Sequence, residues 1–259
     1  MTRILAALDN SLAASPALAL ARALAPLLGS EVDAIHVVDD GEDTARQAAQ
    51  AAGLPLHTVR GPLVKALVHA GMDSDVVAMV IGARATAAGP RPLGSTALAV
   101  ATSLPKPVVV VPPDASVTGG IRRVLVPIEG ERSASLIPRT IIELAESAEL
   151  DVIALYVLEA GSLPAFTDQP QHERQAWTEE FLRRYCRWRT GSLRLETRVG
   201  PPEDLVPMVA EQVDADLIAL GWAQELGPGR APIVRAVLER GHRPVLLVPV
   251  TLPVGAHHG

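Results

Sequence analysis

The chain has a single cysteine, Cys186, in 259 residues, which excludes an intrachain disulfide framework and any multi-cysteine metal site. Aromatic residues make up only 3%, so a core must be built from Ala, Val, Leu and Ile. No run of about 18 uninterrupted apolar residues occurs, and no transmembrane helix is expected. The start of the chain superficially resembles a secretory signal, with Arg3 ahead of an Ala/Leu-rich stretch, but Asp9 and Asn10 interrupt it and a related pattern recurs at residues 123–129. The expectation is a cytoplasmic protein. Positive charge is not in excess either: a formal net charge of -6 argues against a nonspecific polyanion binder, which needs a basic face to displace counterions. The lysine-bearing phosphate loop of Walker-type NTPases is absent, and no G-x-G-x-x-G follows the first apolar segment, which disfavours a dinucleotide dehydrogenase.

What is present, above all, is repetition. Arg3-Ile4-Leu5-Ala6-Ala7-Leu8-Asp9 matches Arg123-Val124-Leu125-Val126-Pro127-Ile128-Glu129, and Ile35 to Asp39 matches Leu155 to Glu159, both at an offset of 120. Farther along, Gly61-Pro62 matches Gly200-Pro201, and Asp75 to Gly82 resembles Asp214 to Gly221, now at an offset of 139. The change locates an insertion of 19 residues between Leu158 and Gly200. Two domains are expected, residues 1–114 and 121–251, with a helical insertion at about 161–190. The stretch between them, Pro112 to Gly120, has linker composition. Within the insertion Trp177, Phe181, Leu182 and Tyr185 fall at helical spacing, as one packing face would.

Each repeat alternates short apolar segments with longer helical ones. The expected strands are Arg3 to Leu8, Glu31 to Val38, Leu54 to Val59, Val76 to Ile81 and Pro107 to Val111. Their counterparts are Arg122 to Ile128, Asp151 to Val157, Leu193 to Arg198, Leu217 to Leu220 and Pro244 to Pro249. Most do not alternate with polar residues, as expected when both faces of a parallel sheet are covered. Helices are expected at about Ser15 to Leu28, Leu63 to Met72 and Ser95 to Leu104. The fold class is therefore α/β, two tandem doubly wound five-stranded parallel sheets.

In such sheets ligands bind beyond the carboxyl ends of the strands. In the first repeat Asp9-Asn10-Ser11 follows the first strand, Val38-Asp39-Asp40 the second, and Gly82-Ala83-Arg84 the fourth. A loop from Ala85 to Leu93 leads to Gly94-Ser95-Thr96, which opens an apolar helix. Glycine permits close backbone approach to an anion, and the two hydroxyls stand beside free amides of the helix N-terminus. Each feature alone also suits a plain helix cap or strand end.

This order of residues resembles the universal stress protein family, whose nucleotide-binding members carry Gly-x2-Gly-x9-Gly-(Ser/Thr) after the fourth strand. Gly82 matches the first glycine, Ala85 replaces the second, and Gly94-Ser95 follows after eight residues rather than nine. Lys106 to Pro112 is similar to the family's last strand. The resemblance implies a Rossmann-like fold of the adenine nucleotide alpha hydrolase type and a stress-response regulator binding ATP or AMP. It implies that Asp9 and Val38 contact adenine, the Gly82 backbone the ribose, and Gly94, Ser95 and Thr96 the phosphates, with Ala7, Ile81, Arg84 and Ala85 lining the site. It further implies that the halves dock across Val108 to Val111 and Val245 to Val248, and a homodimer of the whole chain is open.

In the second repeat Ala231-Pro232 stands where Gly94-Ser95 stands in the first, removing a hydroxyl and an amide donor. Gln224 occupies the second glycine position and Glu129 that of Asp9. A degenerate second site is expected, although Gly227, Gly229 and Arg230 could build another anion site. His36 and His57 read as satisfied strand residues rather than ligands. Asp39, Asp40, Glu42 and Asp43 read as a solvated loop, able to take magnesium where phosphates share it. No catalytic residue and no resident metal site is assigned. Slow ATP hydrolysis is the most enzymatic reading, and a non-nucleotide interaction module is the alternative.

Overall fold

The computed structural model describes residues 1–9, 14–38, 43–83, 95–115, 120–128, 150–158, 180, 192–227 and 231–250. Its strands are β1 (Arg3–Leu8), β2 (Glu31–Val37), β3 (Leu56–Val59), β4 (Val76–Gly82), β5 (Val108–Val111), β6 (Arg123–Ile128), β7 (Asp151–Leu158), β8 (Ser192–Val199), β9 (Leu217–Trp222) and β10 (Val245–Pro249). They form one sheet in the order β3-β2-β1-β4-β5-β10-β9-β6-β7-β8. All neighbours are parallel except β5 and β10, which run antiparallel with Val110 opposite Val245 and Val108 opposite Leu247.

The described helices are α1 (Ala14–Leu24), α2 (Asp43–Ala51), α3 (Leu63–Gly71), α4 (Ser95–Ser103), α5 (Pro202–Gln212) and α6 (Pro232–Arg240). They cover both faces of the sheet. Ile4, Ala6 and Leu8 pack with Leu18 and Leu20 of α1 and with Ala45 and Ala49 of α2. Leu5, Ala7 and Ile81 point the other way, toward Leu67 of α3 and Val100 of α4. Because successive side chains alternate faces and both faces are covered, these strands are apolar throughout. Among the described residues no helix is long and apolar enough to cross a membrane.

The Gly-Pro pairs found by repetition have a conformational cause. Gly61 and Gly200 adopt φ of +127° and +139°, a region from which a side chain is sterically excluded, and each is followed by a proline that leads into α3 or α5. The chain thus turns sharply from a strand end into a helix at the same point in both halves.

Two expected boundaries and one expected loop are corrected. Helix α1 ends at Leu24 rather than Leu28, since Pro26 disfavours helical backbone at Ala25 and supplies no N–H. Strand β3 begins at Leu56 rather than Leu54, because Pro55 cannot donate to the ladder, although its carbonyl accepts from Ala34 N–H at 2.9 Å. Asp43, expected in an acidic loop, instead opens α2, a helix absent from the expected set. The apolar signal there consists of alanines alone, with Ala45 and Ala49, four apart, buried, and methyl groups register weakly in hydrophobic periodicity. Asp39, Asp40 and Glu42 lie outside the described residues, as does the insertion's face of Trp177, Phe181, Leu182 and Tyr185.

Candidate functional site

Chain direction builds the site. From β1 the chain crosses to β2 through α1 on one face, whereas from β4 it crosses to β5 through α4 on the other. Neighbouring strands β1 and β4 therefore send their connections apart, and a crevice opens beyond their carboxyl ends. Ala7 pairs with Ile81 at its base. Their side chains are only 9% and 6% exposed and belong to the core, so at this level the strands offer a ligand backbone. Beyond them Asp9 is exposed at the end of β1, and Gly82 is partly exposed at the end of β4. Ala83 N–H donates to Val111 O at 2.7 Å, which keeps the strand end beside β5.

His36 fixes the adjacent lip. It is 3% exposed, and its Nδ1–H donates to the Leu8 carbonyl at 2.9 Å, tying β2 to the last residue of β1 just before Asp9. Val38, half-buried, donates its N–H to Val59 O at 2.9 Å and continues the β2-β3 pairing. On the far side α4 opens with exposed Ser95 and half-buried Thr96, while Ala97, Val100 and Ala101 bury its opposite face. The structure thus places Ala7, Asp9, Val38, Ile81, Gly82, Ser95 and Thr96 at strand ends or a helix start around one end of the sheet. Arg84, Ala85 and Gly94 lie outside the described residues.

The equivalent crevice of the second half, between β6 and β9, has different chemistry. Helix α6 begins with Pro232, and its N-cap Ala231 has φ 47° and ψ 49° with no side-chain cap. One amide donor is missing and no hydroxyl replaces it. Trp222 stands where the offset of 139 places Ala83 in the first half, and it is 4% exposed, packed in a cluster with Leu220, Ile233 and Val234. Its buried indole N–H has no acceptor among the described residues. Arg235 donates to the Leu226 carbonyl and so ties α6 to the segment that follows β9. Trp222 was not singled out from the sequence, although its alignment with Ala83 was the available signal. Nor was the reach of Gln224, whose side chain bonds outside its own half.

The strongest charge clusters sit at the amino ends of the strands of each half, and so at opposite edges of the sheet. Arg3 meets Asp33 at 3.0 Å, Asp73 at 3.1 Å and Asp75 at 2.9 Å, and His57 Nε2 lies 3.0 Å from the same Asp33. The hydrogen bond to Asp33, opposed by burial and aided by Asp75, raises the Arg3 pKa above its ordinary value. Arg243 pairs with Glu211 at 2.9 Å and Asp214 at 3.0 Å, and its pKa is likewise raised, chiefly by the bond to Glu211. Each cluster clamps the strand beginnings of its own half, away from that half's crevice; because β5 and β10 run antiparallel, it shares a sheet edge with the crevice of the other half. Among the described residues no group of three His, Cys, Asp or Glu is arranged to hold a metal ion.

Known proteins share this fold. A family model described as the universal stress protein family matches residues 120–249, half of the chain. A universal stress protein of Methanothermobacter thermautotrophicus is 33% identical over 116 residues, covering 40% of this chain and 78% of the relative. Among solved structures, a universal stress protein of Archaeoglobus fulgidus aligns with TM-score 0.69 at 17% identity, over 95% of this chain and 98% of its own. A Pseudomonas aeruginosa protein assigned to universal stress proteins aligns with TM-score 0.64 at 16% identity, over 96% and 93%. The two structural likenesses show a fold shared along nearly the whole chain. With the family model and the Methanothermobacter relative beside them, the chain belongs to the universal stress protein family.

Proposed function

We propose that this chain is a nucleotide-responsive binding protein of the stress response, taking an adenine nucleotide, ATP or AMP, in the crevice between β1 and β4. One observation carries the reading: Asp9 and Gly82 end adjacent strands whose crossovers leave in opposite directions, and Ser95 opens α4 with exposed polar groups. Asp9 and Val38 recognise adenine, the Gly82 backbone passes the ribose, and Gly94, Ser95 and Thr96 hold the phosphates. Magnesium enters with the phosphates. Hydrolysis is slow at most, for no general base is assigned.

The halves, residues 1–114 and 121–251, act as tandem domains related by a pseudo-twofold at β5 and β10. The second does not bind nucleotide. Pro232 in place of a hydroxyl and buried Trp222 in place of Ala83 support that division. We place the protein in the cytoplasm, with the region from Ala85 to Leu93 as the nucleotide-responsive surface.

Isothermal calorimetry with ATP, AMP and cyclic AMP at millimolar concentration tests the reading. Gly94→Trp is expected to abolish the binding heat, while Ala231→Trp leaves the affinity nearly unchanged. Absence of heat and of thermal shift with all three ligands refutes it.

A further inference from the structure

Gln224 combines two features that a plain loop residue lacks. Its backbone has φ of 59°, in the left-handed region that costs an L residue energy and suits glycine. Its side chain leaves its own half: Nε2 donates to the carbonyls of Ala101 and Leu104, both at 2.8 Å, at the carboxyl end of α4. Both amide hydrogens are thereby used, on carbonyls that a helix end leaves without intrahelical partners. The residue at the matching position of the first half, Ala85, has no group able to do the same for α6, so the contact is one-sided.

Helix α4 is short, nine residues or about 13 Å. Its first residue, Ser95, faces the first-half crevice, and its last carbonyls are held by the loop that follows β9 of the second half. A strained backbone retained with a directed side chain points from geometry to function. We propose that Gln224 is a positioning residue for the first-half site: it fixes α4 along its axis from the second half, and so sets where the amides and hydroxyls at Ser95 and Thr96 meet a bound phosphate. This rests on the nucleotide reading above. It also makes the two halves energetically coupled, since a ligand that needs α4 in one place favours the Gln224 contact, and the contact favours the ligand equally.

The test uses the full-length chain and ATP. Gln224→Gly keeps the left-handed backbone without strain and removes the amide. Gln224→Glu keeps the reach but faces the carbonyls with an acceptor instead of a donor. Both are expected to stay folded by far-ultraviolet circular dichroism and to bind ATP about fivefold or more weakly by calorimetry. In the wild-type protein the Gln224 side-chain NH2 resonance is expected to shift during an ATP titration with the calorimetric Kd, a response that a contact serving stability alone does not give. Wild-type affinity in both folded variants, with an unmoved NH2 resonance, overturns the positioning role and leaves the nucleotide reading standing. If the wild-type chain binds neither ATP nor AMP, the nucleotide reading fails and the positioning role falls with it.

Discussion

Arg3 gathers three carboxylates, from β2 and from the turn that precedes β4, around one guanidinium at the start of β1. Removing it leaves those carboxylates facing one another, so Arg3→Met is expected to cost about 1 to 2 kcal/mol at neutral pH. The pH behaviour follows from the direction of the shift. A cation whose pKa is raised by folding contributes fully below its unfolded value and loses that contribution only as pH climbs through the higher folded value. Urea unfolding at pH 7 and pH 10 should therefore give the same wild-type minus variant difference; a difference that disappears by pH 10 contradicts the assignment. Gln224 works by the same kind of directed bonding, at the same edge of the sheet but between halves rather than within one.

Helix α5 carries Pro207 in its interior, where the missing N–H leaves the Glu203 carbonyl without its helical donor. The adjacent helix supplies a substitute. Arg240 of α6 donates Nη2–H to that carbonyl at 3.0 Å and Nη1–H to Asp204 at 2.8 Å. The proline is thus tolerated because two helices pack side by side, and the packing gains direction from the gap. Arg240 is half exposed, so Arg240→Ala is expected to cost only about 0.5 kcal/mol. In a Pro207→Ala background the new backbone N–H at position 207 can take over, and the loss should shrink. A double-mutant cycle by chemical denaturation measures this, and equal losses in both backgrounds refute the compensation.

Both buried clusters cross from one half to the other. The first runs from Met79, Leu104 and Val108 to Leu125, Ile153 and Leu247, and the second from Ile4 and Val109 to Val124 and Leu246. Although each half has its own order of strands, there is no hydrophobic break at the seam. Calorimetric unfolding is expected to show one transition. Leu246, 3% exposed and opposite Val109, tests the seam: Leu246→Ala is expected to cost about 2 to 5 kcal/mol while keeping a single transition. Two resolved transitions in the wild-type chain count against a shared core.

Much of this was written in local pattern. Uniformly apolar segments between helical ones determine an α/β sheet with both faces covered, and repetition identifies Arg3 with Arg123 and Gly61 with Gly200 without any structure. The Ala-Pro at 231 and 232 already announces a helix start lacking a hydroxyl and an amide. Helix α2 escaped because its buried stripe is made of alanine methyls, too small to signal a face. Tertiary structure alone decided that Trp222 is buried, and that Gln224 reaches Ala101 and Leu104, more than a hundred residues earlier in the chain. It also decided that Arg240 answers Pro207. The physical reason is common to all three. Periodicity and backbone preference act over a few neighbouring residues and are legible there, whereas a side chain's partner depends on which distant segments the sheet order brings alongside it.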